Sequence, residues 1–160
     1  MPILNLPDCV NARDLQGLRL APGSVVTKGA LLRSDNLDLL SPAGIDALKT
    51  LSVVRILVLR FEWEARKYPG PFSEHPIYVN VPLIGEREDF DPDAPIDYRP
   101  EIDQYPGLIA AALTAFADAP AGAVLAHCHA GRDRTGMFIA FALAVAGASA
   151  DEIIADYVTQ

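Results

Sequence analysis

The chain has 160 residues, 51% apolar and 21% charged, enough to bury roughly 70% of its unfolded surface as a single compact domain over 1–160. A disordered tail and a small disulfide scaffold are excluded by that balance. Thirteen Lys and Arg against twenty-one Asp and Glu leave a net charge of −8, so no broad basic field can hold a nucleic-acid backbone or an anionic membrane, and any bound anion needs a local pocket.

The opening, Met1-Pro2-Ile3-Leu4-Asn5, has no basic region followed by an apolar one, so no secretory signal is read. Two cysteines, Cys9 and Cys128, are too few for a disulfide framework, and a reduced cytoplasmic setting is expected. Secretion by a route that needs no such signal stays compatible with this. Cys9 reads as a small buried hydrophobe. Short β-type runs at 18–20 and 25–26 flank Pro22-Gly23, a hairpin signal, and a further strand is expected at 30–33.

Ser41-Pro42 then reads as an N-cap followed by proline at the first helical position, with Ile45, Leu48 and Leu51 forming one apolar face. The β-branched run at 53–59 is apolar enough for a strand covered on both faces, and 77–83 and 123–128 are two more candidates. Short charged and longer apolar helices are expected near 62–67 and 105–118, so helices alternate with buried strands. The expected fold is α/β: a central, mostly parallel sheet flanked by helices in three layers.

Residues 85–103 differ in kind, with eight Asp or Glu, three prolines and the aromatics Phe90 and Tyr98. They read either as a lid or as a solvated acidic connection. The longest apolar run, 136–148, is thirteen residues, short of the roughly 20 that cross a bilayer, and reads as a buried helix. Ser149-Ala150-Asp151-Glu152 is a capping-box pattern opening a last helix whose apolar side is Ile153, Ile154, Tyr157 and Val158.

The stretch from Val124 to Gly136, with His127-Cys128 at the strand end and Arg134 six positions after the cysteine, carries the chemistry. In a strand-loop-helix turn the N–H groups of His129, Ala130, Gly131, Arg132, Asp133 and Arg134 can point inward as a nest, reinforced by the helix N-terminus. Such a turn suits a tetrahedral dianion. Cys128, among those donors, is expected to be a thiolate near neutrality and so a nucleophile. Arg134 offers a planar fork to two oxygens of one phosphate, and Gly131 allows a close backbone approach. Thr135 is expected to donate to the cysteine sulfur, and His127 to orient the loop rather than act as a base.

These residues resemble the protein tyrosine phosphatase superfamily, whose signature is H-C-x5-R followed by Ser or Thr. The chain is most similar to the bacterial tyrosine and dual-specificity branch with an H-C-x-x-G-K-D-R-T-G loop. Asn11-Ala12-Arg13-Asp14-Leu15-Gln16-Gly17 resembles that branch's N-x-R-D-L-G-G opening, and Leu32-Arg33-Ser34 its R-S element. Arg132 stands where the branch usually has lysine, and Val58-Leu59-Arg60 where it often reads D-L-R.

The resemblance implies a two-step phosphoryl transfer through a Cys128 phosphoenzyme, with phosphotyrosine proteins or small phosphate esters as substrates and dual specificity within range. No metal or other cofactor is expected. The leaving oxygen needs a proton donor; Asp133 is the first choice, and Asp89, Asp91 and Asp93 compete. Arg33, Arg60 and Arg66 are candidates for the pocket mouth, the alternative being ordinary surface pairs with Glu62 and Glu64. Rival functions are a phosphate-binding module without turnover, a phosphoinositide or inositol phosphate phosphatase, and a sulfur transferase. Turnover that depends on Cys128 separates the enzymes from the module.

Overall fold

A computed structural model of the chain describes residues 2–21, 23–86 and 98–159. Short strands β1 (Arg13–Asp14), β2 (Arg19–Leu20) and β3 (Ser24–Val25) precede β4 (Leu31–Ser34). Then follow α1 (Pro42–Thr50), β5 (Val53–Val58), α2 (Glu62–Lys67), β6 (Tyr78–Asn80), α3 (Arg99–Gln104) and α4 (Pro106–Ala117). The chain ends with β7 (Ala123–His127), α5 (Asp133–Val145) and α6 (Ala150–Tyr157).

The main sheet has the order β1-β4-β7-β5-β6, and β2 and β3 form the expected antiparallel hairpin. Only β1 runs antiparallel to its neighbour in the main sheet; β4, β7, β5 and β6 are parallel. Alternation along the strands divides the core. Leu31, Leu57, Leu59, Val124 and Ala126 face Ile109 and Ala112 of α4 and Phe138 and Ile139 of α5. Leu32, Ile56, Val58 and Leu125 face Leu48 of α1. Helices therefore cover both faces of a mostly parallel sheet, as the continuous apolar strands require.

Local signals were reliable where the chemistry is local. Ser41 caps α1, its side chain accepting from Gly44 N–H, and Ser149 caps α6 by accepting from Glu152 N–H at 3.3 Å. The reciprocal half of that capping box is not formed, because the Glu152 carboxylate instead accepts from the backbone and side chain of Arg19. Residues 99–103, part of the segment read as aperiodic, lie in α3, which has a proline in its first turn. α5 starts at Asp133, three residues before the expected apolar run. Among the described residues no helix is long and apolar enough to cross a membrane.

Candidate active site

Ser34 of β4, His127 of β7 and Val58 of β5 lie side by side in register. The chain therefore leaves the middle of the sheet at the carboxyl ends of three parallel strands, turns through residues 128–132 and enters α5. Cys128 opens this turn and is 3% exposed, on the core side of the sheet with Leu59 and Leu83. His129, Ala130 and Arg132 are exposed at its rim and, with Asn11 and Asp35, line a groove of about 570 Å³.

The turn's carbonyls are held from behind. Cys128 O accepts from His127 Nδ1 at 2.9 Å, and His129 O from Asn36 N–H at 2.9 Å. Asn11 Nδ2 donates to Ala130 O at 3.3 Å and Gly131 O at 3.2 Å, and Arg33 Nη2 reaches Gly131 O at 2.7 Å. Arg132 O accepts from Gly136 N–H. Among the described residues the amides of 129–134 have no hydrogen-bond acceptor. Carbonyls engaged outward and amides left free are the polarity of an anion-binding nest.

Gly131 makes the turn possible. Its φ is +69°, and a Cβ there would lie 2.4 Å from Ser34 O and 2.7 Å from Asp35 N. Both obstructions are backbone, so neither swings away. Gly131→Ala is expected to destabilise the fold by roughly 1–3 kcal/mol, with a melting point lower by several degrees, and to cut turnover. Thermal denaturation checks the first and a phosphatase assay the second. An unchanged melting point would mean that the turn relaxes at no cost.

Arg134 is where sequence reasoning fell short. Its Nη1 and Nη2 donate to Glu64 Oε2 at 2.5 Å and Oε1 at 3.1 Å, and its guanidinium lies 5.3 Å from the centre of the Phe61 ring. Glu64 Oε2 also accepts from Phe61 N–H at 2.8 Å, so α2 holds the carboxylate that holds the arginine. Burial works against the Arg134 cation. The hydrogen bonds and charge of Glu64, with Cys128 and Asp133 acting in the same direction, outweigh that and keep its pKa above the usual arginine value. Burial likewise works against the Glu64 carboxylate, but Arg134, the Phe61 amide and Arg60 bring its pKa below the usual range.

Several expectations are corrected. Arg33 and Arg60 do not line a mouth: they are 0% and 1% exposed. Arg33 pairs with Asp156 at 2.5 Å while gripping the Gly131 carbonyl, and Arg60 makes a two-point bond to Asp38 at 2.8 and 3.1 Å. Buried guanidiniums need such partners, so both brace the structure from inside. Glu64 belongs to the site, whereas Arg66 and Glu62 form the exposed pair expected, 3.4 Å apart. The hydrogen bond from Thr135 to the cysteine sulfur is not formed. Thr135 lies in the first turn of α5, and its hydroxyl is buried with no partner among the described residues.

His127 is 1% exposed, and burial pushes its pKa down to about 4. The ring is neutral near pH 7, and its Nδ1 proton points at the Cys128 carbonyl. Asp133 is half-buried at the start of α5, and its Oδ1 accepts from Tyr98 Oη at 2.9 Å. Asp89, Asp91 and Asp93 lie outside the described residues. Cys9 is half-buried, and burial raises its thiol pKa to about 12, so it stays protonated.

The sequence model of the tyrosine phosphatase family matches residues 4–159. A Cupriavidus necator protein with a provisional tyrosine-protein phosphatase name is 31% identical over 92% of this chain, and this chain spans 59% of that relative. Among solved structures, the core catalytic domain of the PP-IP phosphatase Siw14 of S. cerevisiae is similar at TM-score 0.53 and 21% identity. That match covers 81% of this chain and 69% of the other. TpbA of P. aeruginosa is similar at TM-score 0.50 and 18% identity, over 89% of this chain and 78% of the other. The two structural likenesses speak to the fold, and the family match extends over nearly the whole sequence. This chain belongs to the tyrosine phosphatase family.

Proposed function

We propose that the chain hydrolyses phosphate monoesters, phosphotyrosine foremost, through a phosphocysteine intermediate on Cys128. The observation that carries this reading is the turn whose carbonyls are all engaged outward while the amides of 129–134 stay free among the described residues, with Arg134 beside it. Such a nest lowers the energy of a thiolate and then of the equatorial oxygens of a transferring phosphoryl group.

In the first step the Cys128 thiolate forms an S–P bond as the ester P–O bond breaks, and Asp133 gives its proton to the leaving oxygen. In the second, water attacks phosphorus, its proton passes to the Asp133 carboxylate, and the S–P bond breaks to return the thiolate and release phosphate. Arg134 holds the phosphoryl oxygens through both steps, and His127 fixes the loop. Cys128 is 3% exposed, and a phenyl phosphate is longer than a serine ester, so the tyrosine ester is the one with the reach a buried sulfur asks for.

The test is phosphate release from p-nitrophenyl phosphate, a phosphotyrosine peptide and a phosphoserine peptide, with acid-quench capture of cysteine-linked phosphate. We expect turnover with a trapped phosphocysteine, and the tyrosine peptide faster than the serine peptide by about tenfold or more. Binding of the peptides without phosphate release or a trapped intermediate would make this a recognition module instead.

A further inference from the structure

We propose that Tyr98, seated by Tyr157, is the positioning residue for the proton donor, its phenol claiming Asp133 Oδ1 so that Oδ2 carries the proton to the leaving oxygen. The inference rests on the reading of Asp133 as the acid.

A carboxyl group at a loop–helix junction rotates, and its two oxygens are then equivalent. A fixed donor on one of them removes the equivalence: the carbonyl-type oxygen accepts it, and the proton resides on the other. Tyr98 Oη donates to Asp133 Oδ1 at 2.9 Å, and Tyr98 and Tyr157 share a hydrogen bond at 2.6 Å. Tyr98 has one proton and it is committed to Asp133, so Tyr157 is the donor in the second bond. The chain thus runs in one direction, Tyr157 to Tyr98 to Asp133. Burial, together with hydrogen bonds to Tyr157 and Asp133, raises the Tyr98 pKa and keeps the phenol protonated.

The framework suits this role. Tyr98 sits at the start of α3 with its ring against the main core. Tyr157 lies in the last turn of α6, beside Asp156, which pairs with the Arg33 that holds the Gly131 carbonyl. One helical turn therefore reaches the active-site loop by two routes, one ending on its backbone and the other on its carboxyl group.

Leaving groups give a readout that a merely structural role would not move. The anion of p-nitrophenyl phosphate leaves readily without a proton, whereas that of phenyl phosphate needs one. Tyr98→Phe keeps the ring in the core, and turnover of p-nitrophenyl phosphate serves as the control for folding. We expect Tyr98→Phe to lower kcat on phenyl phosphate about tenfold and on p-nitrophenyl phosphate about twofold, with KM unchanged. Tyr157→Phe should show the same selectivity, weaker. In an Asp133→Asn background, Tyr98→Phe should add no further loss. Equal losses on both substrates, no loss on either, or a further loss in that background would overturn the inference. The Asp133→Asn variant alone judges the underlying reading. If it loses phenyl phosphate selectively and Tyr98→Phe does not, only the positioning role falls; if it does not, the acid assignment falls and this inference with it.

Discussion

Cys128→Ser is expected to lower kcat on p-nitrophenyl phosphate by about 10⁴-fold or more while leaving binding of a phosphotyrosine peptide within a few-fold of wild type or tighter. The substitution is nearly isosteric, so a side chain that is 3% exposed can be exchanged without opening a cavity. The carbonyl contacts from Asn11, Arg33, Asn36 and His127 that shape the turn involve no side-chain atom of residue 128. What changes is the charge. A serine hydroxyl stays protonated at neutral pH, so on the proposed mechanism the nest loses the attacking anion but keeps the donors proposed to bind the oxygens. Replacing the thiolate of that mechanism also removes a repulsion from beside the dianion, which is why affinity should hold or rise. Phosphate release measured alongside isothermal titration separates the two effects. If the variant kept more than a few per cent of wild-type turnover, Cys128 would not be the nucleophile; if it lost affinity in parallel, the turn would depend on the sulfur for its shape.

The parts of this site that were legible in the sequence are those whose determinants sit within a few residues of one another. The 53–59 run supplies β5 (Val53–Val58), Ser41 caps α1, and the spacing from His127 to Arg134 marks the loop. The supports behind the loop join residues far apart in sequence: Glu64 with Arg134, Arg33 with Asp156, Asn11 with Gly131, Tyr98 with Asp133. No periodicity registers such pairs. Helix α6 shows the cost most clearly. Its apolar pattern suggested Ile154 and Val158 on the buried side, yet they are 56% and 72% exposed, while Asp156 is 2% exposed. Asp156 lies three residues after Ile153, on the same helical face, and turns inward because two buried arginines, Arg13 and Arg33, need a carboxylate. A polar residue at a core position reads as a surface residue unless its partner is known. Glu64 misled in the same way: a short charged helix looks solvated, and only the fold brings the carboxylate to Arg134.

Arg134→Lys is expected to lower kcat by about 10³-fold, close to 4 kcal/mol of transition-state stabilisation, although the charge is retained. A guanidinium has five N–H donors in one plane. Glu64 takes one from each terminal nitrogen, which leaves Nε–H and the outer Nη2–H as a second, parallel fork for two phosphoryl oxygens. A lysine ammonium has three rotating donors and cannot hold a carboxylate on one edge and a phosphoryl group on the other. Glu64→Gln tests the same geometry from behind: Arg134 stays but loses its charged two-point hold, and a loss of about tenfold is expected. Because Glu64 titrates below the usual carboxylate range in the folded protein, its hold on Arg134 is complete above the ordinary carboxylate pKa and weakens as pH falls through the depressed one. The wild-type and Glu64→Gln rates should therefore differ most near neutrality and converge toward low pH. Combining Arg134→Lys with Glu64→Gln should do little more than Arg134→Lys alone, since the second residue acts through the first. A lysine variant with a tenth or more of wild-type kcat would show that charge alone suffices and that the fork is dispensable.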